Sequence, residues 1–200
     1  NAPIRVKTCG RALKHTVHLD KVKAEQFVLP IGKKKTHVIG INPSQITTED
    51  LAVSLQPAAN YVPTDGYSKV AAVERHHNTG KIGVAVAKGY GIRNGAVASS
   101  VSHDSHNIIV IGDNDRDMAL AVDEIIRTQG GYTVVENGEV FETLPLPIMG
   151  LMSDAGFESV NETLGRMIKK AHEMGVPADI EPFITLSFLA LPVIPTLRIT

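Results

Sequence analysis

The sequence predicts a mixed α+β (α/β) domain in which multi-stranded sheets pack against two main amphipathic helices. Short β-branched apolar runs recur after residue 36, a pattern typical of strands. Two later segments place apolar residues at helical spacing, from about Asp117 to Thr128 and from Ser159 to about Ala171. With 200 residues, 43% of them hydrophobic, the chain can bury one core and is too apolar to be disordered.

Five apolar runs in the first half are predicted to be strands. They cover residues 37–41, 51–55, 70–73, 82–86 and 96–101. Residues 56–68 are rich in Pro, Asn, Asp and Gly and are predicted to be a loop. Residues 1–35 are basic and have no helical period, so we predict an N-terminal arm or linker over 1–35 and the domain proper over 36–200.

The continuous apolar run 108–111 is predicted to be a strand covered on both faces. The first amphipathic helix follows directly, from about Asp117 to Thr128. Its apolar stripe should bury Ile125, whereas Asp123 and Glu124 should lie on a solvated face.

Three further elements are predicted in the second half of the chain. Asn137-Gly138 tolerates positive φ and predicts a hairpin turn between two short strands. Ser159 and Glu162 have the spacing of a capping box at the start of the second helix. The apolar tail 184–199 is predicted to form one or two buried strands.

Composition excludes several classes of function. Twenty Lys and Arg against 21 Asp and Glu give no bulk field that recruits nucleic acid. The most apolar stretch, of about a dozen residues, is too short to cross a bilayer, so we predict no membrane and no nucleic-acid partner. The single Cys9 favours a cytoplasmic location. The chain opens at Asn1 without Met, and we expect it to be a piece of a longer protein.

A dense polar segment, 102–107 (SHDSHN), lies between two predicted strands. Its two imidazoles and carboxylate are groups that bind first-row metals. The same groups can move a proton near neutral pH. A third reading is a turn whose Ser and Asp side chains cap backbone N–H groups. The candidate catalytic residues are His103, Asp104 and His106, and the candidate substrate-binding residues are Ser102 and Asn107.

A second polar cluster follows the predicted strand 70–73. Glu74, Arg75 and His76 are candidate substrate-binding residues. Adjacent side chains on an extended strand point to opposite faces, so at most one of His76 and His77 joins a given site. A surface ion pair between Glu74 and Arg75 is the structural alternative. Because both clusters lie at strand ends, we expect them to converge.

Five segments, in this order, carry a family resemblance. They are 72–77 (AVERHH), 95–99 (GAVAS), 102–110 (SHDSHNIIV), 144–153 (LPLPIMGLMS) and 182–195 (PFITLSFLALPVIP). Together they closely resemble the C-terminal domain of bacterial and archaeal adenine deaminases of the amidohydrolase superfamily. The resemblance extends from about Thr16 to the last residue.

The resemblance implies a hydrolase of purine salvage that converts adenine and water to hypoxanthine and ammonia. In that family Mn or Fe sits on an N-terminal (β/α)8 barrel, which is preceded by a small β domain. A metal-activated hydroxide attacks C6 of the purine. The barrel's His-x-His pair is absent from this sequence. The resemblance thus implies a domain that follows the barrel, binds no metal itself and is inactive alone, with adenine, the barrel and a homo-oligomer as partners.

In that setting the segment 102–107 would reach the barrel mouth, where Asp104 or a neighbour could hydrogen-bond a ring nitrogen of the purine. Alternatively, the segment braces an interface between the barrel and this domain or between subunits.

Two other functions stay open. One is a noncatalytic purine-binding or oligomerisation module. The other is an autonomous metallohydrolase, with the ligand set Glu74, His76, His103, Asp104 and His106.

Overall fold

A computed structural model of the chain describes residues 13–64 and 66–200, and Cys9 lies outside these ranges. Within them, one sheet of eight strands in the order β2-β1-β4-β3-β6-β5-β7-β8 packs with three α-helices. The elements are β1 (Thr36–Ile41), β2 (Thr48–Val53), β3 (Tyr67–Val73), β4 (Ile82–Lys88), β5 (Gly95–Ser99), β6 (Ile108–Gly112), α1 (Asp115–Thr128), β7 (Gly131–Glu136), β8 (Glu139–Pro145), α2 (Phe157–Glu173) and α3 (Pro182–Leu189). The predicted mixed α+β class is confirmed.

The sheet carries a hydrophobic core on each face. Along β6, Ile109 and Ile111 pack with the cluster that includes α2 and α3, whereas Ile108 and Val110 pack with α1. Side chains alternate between faces along a strand, so both sets are buried only because helices cover both sides. The prediction of a doubly covered strand over 108–111 is confirmed. None of the helices in the described residues combines the length and hydrophobicity that crossing a bilayer requires.

The described part of the predicted arm packs against the α1 face. A short 3-10 helix, Ala24–Phe27, buries Phe27 there, and Val17 and Val22 join the same core. Its first twelve residues lie outside the described ranges. The division at residue 35 stays a prediction.

Asn114 is the N-cap of helix α1, and its side chain accepts a hydrogen bond from the Asp117 backbone N–H at 2.9 Å. The predicted solvated face is wrong. Glu124 is only 9% exposed, because β8 covers it and Thr143 donates to its carboxylate at 2.8 Å. Asp123 accepts from the Val22 backbone N–H at 3.0 Å. Long-range contacts of this kind leave no trace in helical periodicity.

Ile125→Ala is expected to lower the free energy of unfolding by about 2–5 kcal/mol, because it empties a fully buried site between α1 and the sheet. Ile126→Ala on the same helix is the matched control. Because Ile126 is only partly buried, this substitution should lower the free energy of unfolding by less. Urea denaturation of both variants measures the difference. Equal losses at the two positions would contradict the assignment of Ile125 to the core.

Two predictions about the last third of the chain are wrong. Helix α2 begins at Phe157 with Gly156 as its N-cap, so Ser159 lies inside the helix and closes no capping box. The tail forms the helix α3, Pro182–Leu189, and no strand. Pro182 suits the first turn of a helix, and the Glu181 carboxylate caps it by accepting from the Ile184 N–H. Because α3 is apolar all round, its sequence shows no helical period.

Strand register brings several loops to one end of the sheet. Val73 of β3 pairs with Ile108 of β6, and Ser99 of β5 pairs with Ile109. We call the end formed by Val73, Ser99 and Ile108 the histidine end of the sheet. It carries the β3–β4 loop, the β5–β6 loop and the turn that follows β8.

Candidate functional site

The two polar clusters of the sequence lie side by side at the histidine end. The His76 ring Nε2 is 2.8 Å from the Ser105 carbonyl oxygen. The Arg75 Nε–H donates to the carbonyl oxygen of His106. The β3–β4 and β5–β6 loops therefore form one surface.

Arg75 is the most deeply buried member of the second cluster, at 2% exposure. Besides His106, its guanidinium donates to the carbonyl oxygens of Thr16 at 3.1 Å and Met149 at 3.0 Å. It lies against Gly150, where an added Cβ would be 2.8 Å from a guanidinium nitrogen. Burial lowers the pKa of Arg75. Its predicted role in substrate binding stays a prediction, while its contacts join three separate segments.

Glu74 organises the β3–β4 loop. Its carboxylate accepts from the backbone N–H groups of His76 at 2.5 Å, His77 at 2.8 Å and Thr79 at 3.0 Å, and from the Thr79 hydroxyl at 2.9 Å. Burial alone would raise the pKa of Glu74, but these hydrogen bonds outweigh it and lower the pKa to about 2. Glu74 is therefore ionised at neutral pH, and donors of its own loop occupy both of its oxygens.

Glu74→Gln is expected to lower the free energy of unfolding by about 1–3 kcal/mol at pH 7, because it removes a charged acceptor of four hydrogen bonds. A depressed folded-state pKa means that this stabilisation is complete above about pH 5 and is lost as the pH falls to about 2. Thermal melts of both proteins should therefore converge towards pH 2. Glu139→Gln, at an exposed carboxylate on β8, is the control. A difference in melting temperature between the two proteins that stays constant with pH would contradict the stabilising role of the ionised Glu74.

The β5–β6 loop rests on the end of α3. The His103 backbone N–H donates to the Ser187 carbonyl at 3.1 Å, and the His103 ring lies 5.5 Å from the Phe188 ring, centre to centre. The His103 and His106 rings meet edge to face at 5.9 Å. Asp104 is exposed at the tip of the loop. The imidazoles and the carboxylate are thus presented on a supported surface.

Three side-chain atoms of this loop are buried without a hydrogen-bond partner in the described part of the chain. They are Ser102 Oγ, His106 Nδ1 and Asn107 Oδ1. Burial lowers the pKa of His106, and His103 and Arg75 act in the same direction, which favours the neutral imidazole. Buried polar atoms in native proteins are almost always paired, so each of these three is expected to gain a partner, such as a buried water or a group reached by a shift of the loop.

A cleft of about 220 Å³ lies between the two loops and the turn after β8. Its lining residues are Thr16, Arg75, His76, His106, Met149 and Leu151. The sequence reasoning missed Thr16, Met149 and Leu151 as site residues. The resemblance segment 144–153 contains Met149 and Leu151 and could have indicated them, whereas nothing in the sequence singles out Thr16.

The donor geometry of the described residues does not fit Mn or Fe, which the resemblance places on the barrel. Among residues 13–64 and 66–200, no three His, Cys, Asp or Glu side chains lie close enough together to hold a metal ion. The ligand set of the autonomous metallohydrolase is therefore not assembled on the described residues. Hydrogen bonding and proton movement are the chemistry that this surface can offer.

Comparison with known proteins identifies a similar family and several relatives. The sequence model of the family described as "Adenine deaminase C-terminal domain" matches residues 45–200. An adenine deaminase of Desulfitobacterium hafniense is 50% identical over 199 residues, which are 98% of this chain and 35% of the relative. Adenine deaminases of Nitratidesulfovibrio vulgaris (strain DP4) and Listeria monocytogenes are 47% and 42% identical over 94% of the chain. The chain spans about a third of the length of these relatives.

Proposed function

Because the chain belongs to the adenine deaminase C-terminal domain family, we propose that it is the C-terminal part of an enzyme that hydrolyses adenine to hypoxanthine and ammonia. The observation that carries this proposal is 50% identity to an adenine deaminase over 98% of the chain. Relatives about three times as long supply room for the (β/α)8 barrel that would hold Mn or Fe. The enzyme would act in purine salvage in the cytoplasm and assemble as a homo-oligomer. A noncatalytic binding module is not favoured, since the matched relatives are named as deaminases.

Within this enzyme, the β5–β6 loop would border the purine pocket. Deamination replaces the amino group on C6 by oxygen, so protons must reach the departing nitrogen and the purine ring. An exposed Asp104 carboxylate can accept a hydrogen bond from a purine N–H and hold a proton during this exchange. The neutral His106 imidazole can donate or accept at the pocket edge. The Ser102 hydroxyl and the Asn107 carboxamide oxygen are buried, so their predicted contact with the purine requires the loop to move.

The test is an assay of the full-length protein with adenine. After loading with Mn or Fe, the protein should release ammonia and hypoxanthine in equal amounts. Chromatography measures the hypoxanthine, and an ammonia assay measures the ammonia. Adenosine serves as the comparison substrate, because its ribose tests whether the pocket accepts the free base alone. A metal-loaded, folded full-length protein that leaves adenine unchanged would overturn the proposal.

A further inference from the structure

The cleft at the histidine end has a buried cation at its floor. Arg75 is surrounded by carbonyl oxygens, and in the part of the chain that the structure describes no carboxylate pairs with it. Lys69, another buried cation, shows the usual arrangement, with its Nζ 2.6 Å from the Asp115 carboxylate. Carbonyl dipoles solvate a guanidinium but do not neutralise it, and a buried unpaired charge is costly. An anion bound in this cleft would therefore offset the charge of Arg75.

The groups around Arg75 supply no such anion. His76 and His106 line the same cleft, and neither side chain is an anion. The Glu74 carboxylate is occupied by its own loop, and the Asp104 side chain is exposed at the loop tip. Oxygen atoms of Thr16, His106 and Met149 already accept from Nε and both terminal nitrogens of Arg75, so the positive charge of the guanidinium is what would attract a carboxylate into the cleft.

The rim of the cleft is apolar and exposed. Met149 is 43% exposed and Met152 is 52% exposed on the turn after β8, and Leu13 beside them is 39% exposed. The Met149 backbone N–H donates to the Leu13 carbonyl at 2.6 Å, which joins the two segments. Methionine-rich apolar surface around a desolvated charge is typical of protein interfaces.

We propose that this surface, the cleft with its rim of Leu13, Met149 and Met152, docks the N-terminal two thirds of the full-length polypeptide, which places a carboxylate side chain over Arg75. The inference rests on the proposed function, because it takes the chain to be part of a longer enzyme. Three observations support the occupant. The matched relatives are about three times as long as this chain. The buried cation demands a negative partner, and the unpartnered atoms of the β5–β6 loop lie at the same end of the sheet.

Methionine oxidation tests the docking. The chain has five Met residues. Met149 and Met152 are exposed, and the other three, Met118, Met167 and Met174, are buried. With dilute hydrogen peroxide and peptide mass spectrometry, the first two should oxidise readily in the 200-residue chain and at least about tenfold more slowly in the full-length protein. The three buried residues should react slowly in both proteins and report folding.

Equal oxidation of Met149 and Met152 in the two proteins would overturn the docking surface. Because the readout does not depend on turnover, it separates the two proposals. A full-length protein that is active but unprotected contradicts only the docking surface. A protected protein that leaves adenine unchanged contradicts only the proposed activity.

Arg75→Met in the full-length protein tests the charge. It should restore the oxidation of Met149 and Met152 to the rate of the isolated chain. Arg198→Met is the matched control, because the Arg198 guanidinium also donates to carbonyl oxygens, including that of Ile46 at 2.8 Å, and does not line the cleft. If Met149 and Met152 stay protected from oxidation in a folded Arg75→Met protein, the proposed contact between Arg75 and a carboxylate is wrong.

Should the buried methionines of Arg75→Met oxidise, that variant does not fold and Leu151→Asp replaces it. This substitution places a negative charge in the cleft lining, where it would pair with Arg75 and repel the incoming carboxylate. The rim methionines should then oxidise at the rate of the isolated chain. Val193→Asp, at a 77% exposed position outside the cleft, is its control. Full protection in Leu151→Asp would overturn the proposal.

Discussion

The isolated 200-residue chain is expected to release ammonia from adenine at least about 10⁴-fold more slowly than the full-length enzyme, because hydrolytic enzymes owe rate enhancements of 10⁶-fold or more to a complete site. The described residues assemble no set of metal ligands, and Glu74 is occupied within its own loop. Under the proposed function, the role left to this chain is to bind and orient the purine. An ammonia assay with added Mn or Fe measures the difference.

The isolated Asp104→Asn chain is the matched control for this assay, since ammonia that both chains release at the same rate does not depend on the Asp104 carboxylate. If the isolated chain turns over adenine at a rate comparable to that of the full-length protein, the proposal that the metal site lies outside this chain is wrong. Tight, stoichiometric metal in the purified chain would instead favour the autonomous metallohydrolase. Calorimetry with adenine and a sizing column on the same sample test the remaining alternative, a purine-binding or oligomerisation module.

Most strands were predictable from sequence because the signal is local. The run 108–111 is continuous and apolar, and such a run requires cover on both faces. The Asn137-Gly138 pair supplies the two positive φ angles of its hairpin turn, at 51° and 82°. Helix α1 shows its stripe because the residues that pack on the sheet are apolar, although its polar side is also partly covered. Local chemistry and tertiary structure agree in each case.

Helix α3 was not predictable because its burial removes the signal. Even its exposed position, Ile184, is apolar, so polar residues do not alternate with apolar ones at helical spacing. Its short apolar run between prolines is also typical of a buried strand. The capping Glu181 and the first-turn Pro182 were the available clues.

The candidate site was predictable in its residue types and not in its contacts. Polar residues at strand ends indicated the β3–β4 and β5–β6 loops. The role of Arg75 depends on carbonyl groups of Thr16 and Met149, which are 59 and 74 residues away in sequence. An Arg next to a Glu suggests an ion pair, but the two side chains bind different groups. Glu74 accepts from backbone N–H groups of its own loop, and Arg75 donates to backbone carbonyl oxygens. Backbone acceptors have no residue identity, so no sequence pattern predicts them.

Asp104→Asn in the full-length enzyme is expected to reduce kcat by about 100-fold or more, the effect of removing one group that accepts or delivers a proton. The substitution keeps the size of the side chain and removes its charge and its capacity to hold a proton. Asp104 is exposed, and in the described residues its side chain makes no hydrogen bond, so the free energy of unfolding of the isolated chain should change by less than about 0.5 kcal/mol. Asp179→Asn, at an exposed carboxylate at the other end of α3, should leave kcat unchanged.

The competing role for Asp104 is a brace at the interface with the rest of the enzyme. In that case the substitution leaves buried polar groups unsatisfied only when the interface is present, which costs about 1–3 kcal/mol. The melting temperature of the full-length enzyme would then fall while that of the isolated chain stays constant. Measuring kcat, melting temperature and metal content on one preparation separates the two roles. A lowered melting temperature with kcat unchanged would contradict a role for Asp104 in the purine pocket, because loss of transition-state stabilisation must appear in turnover.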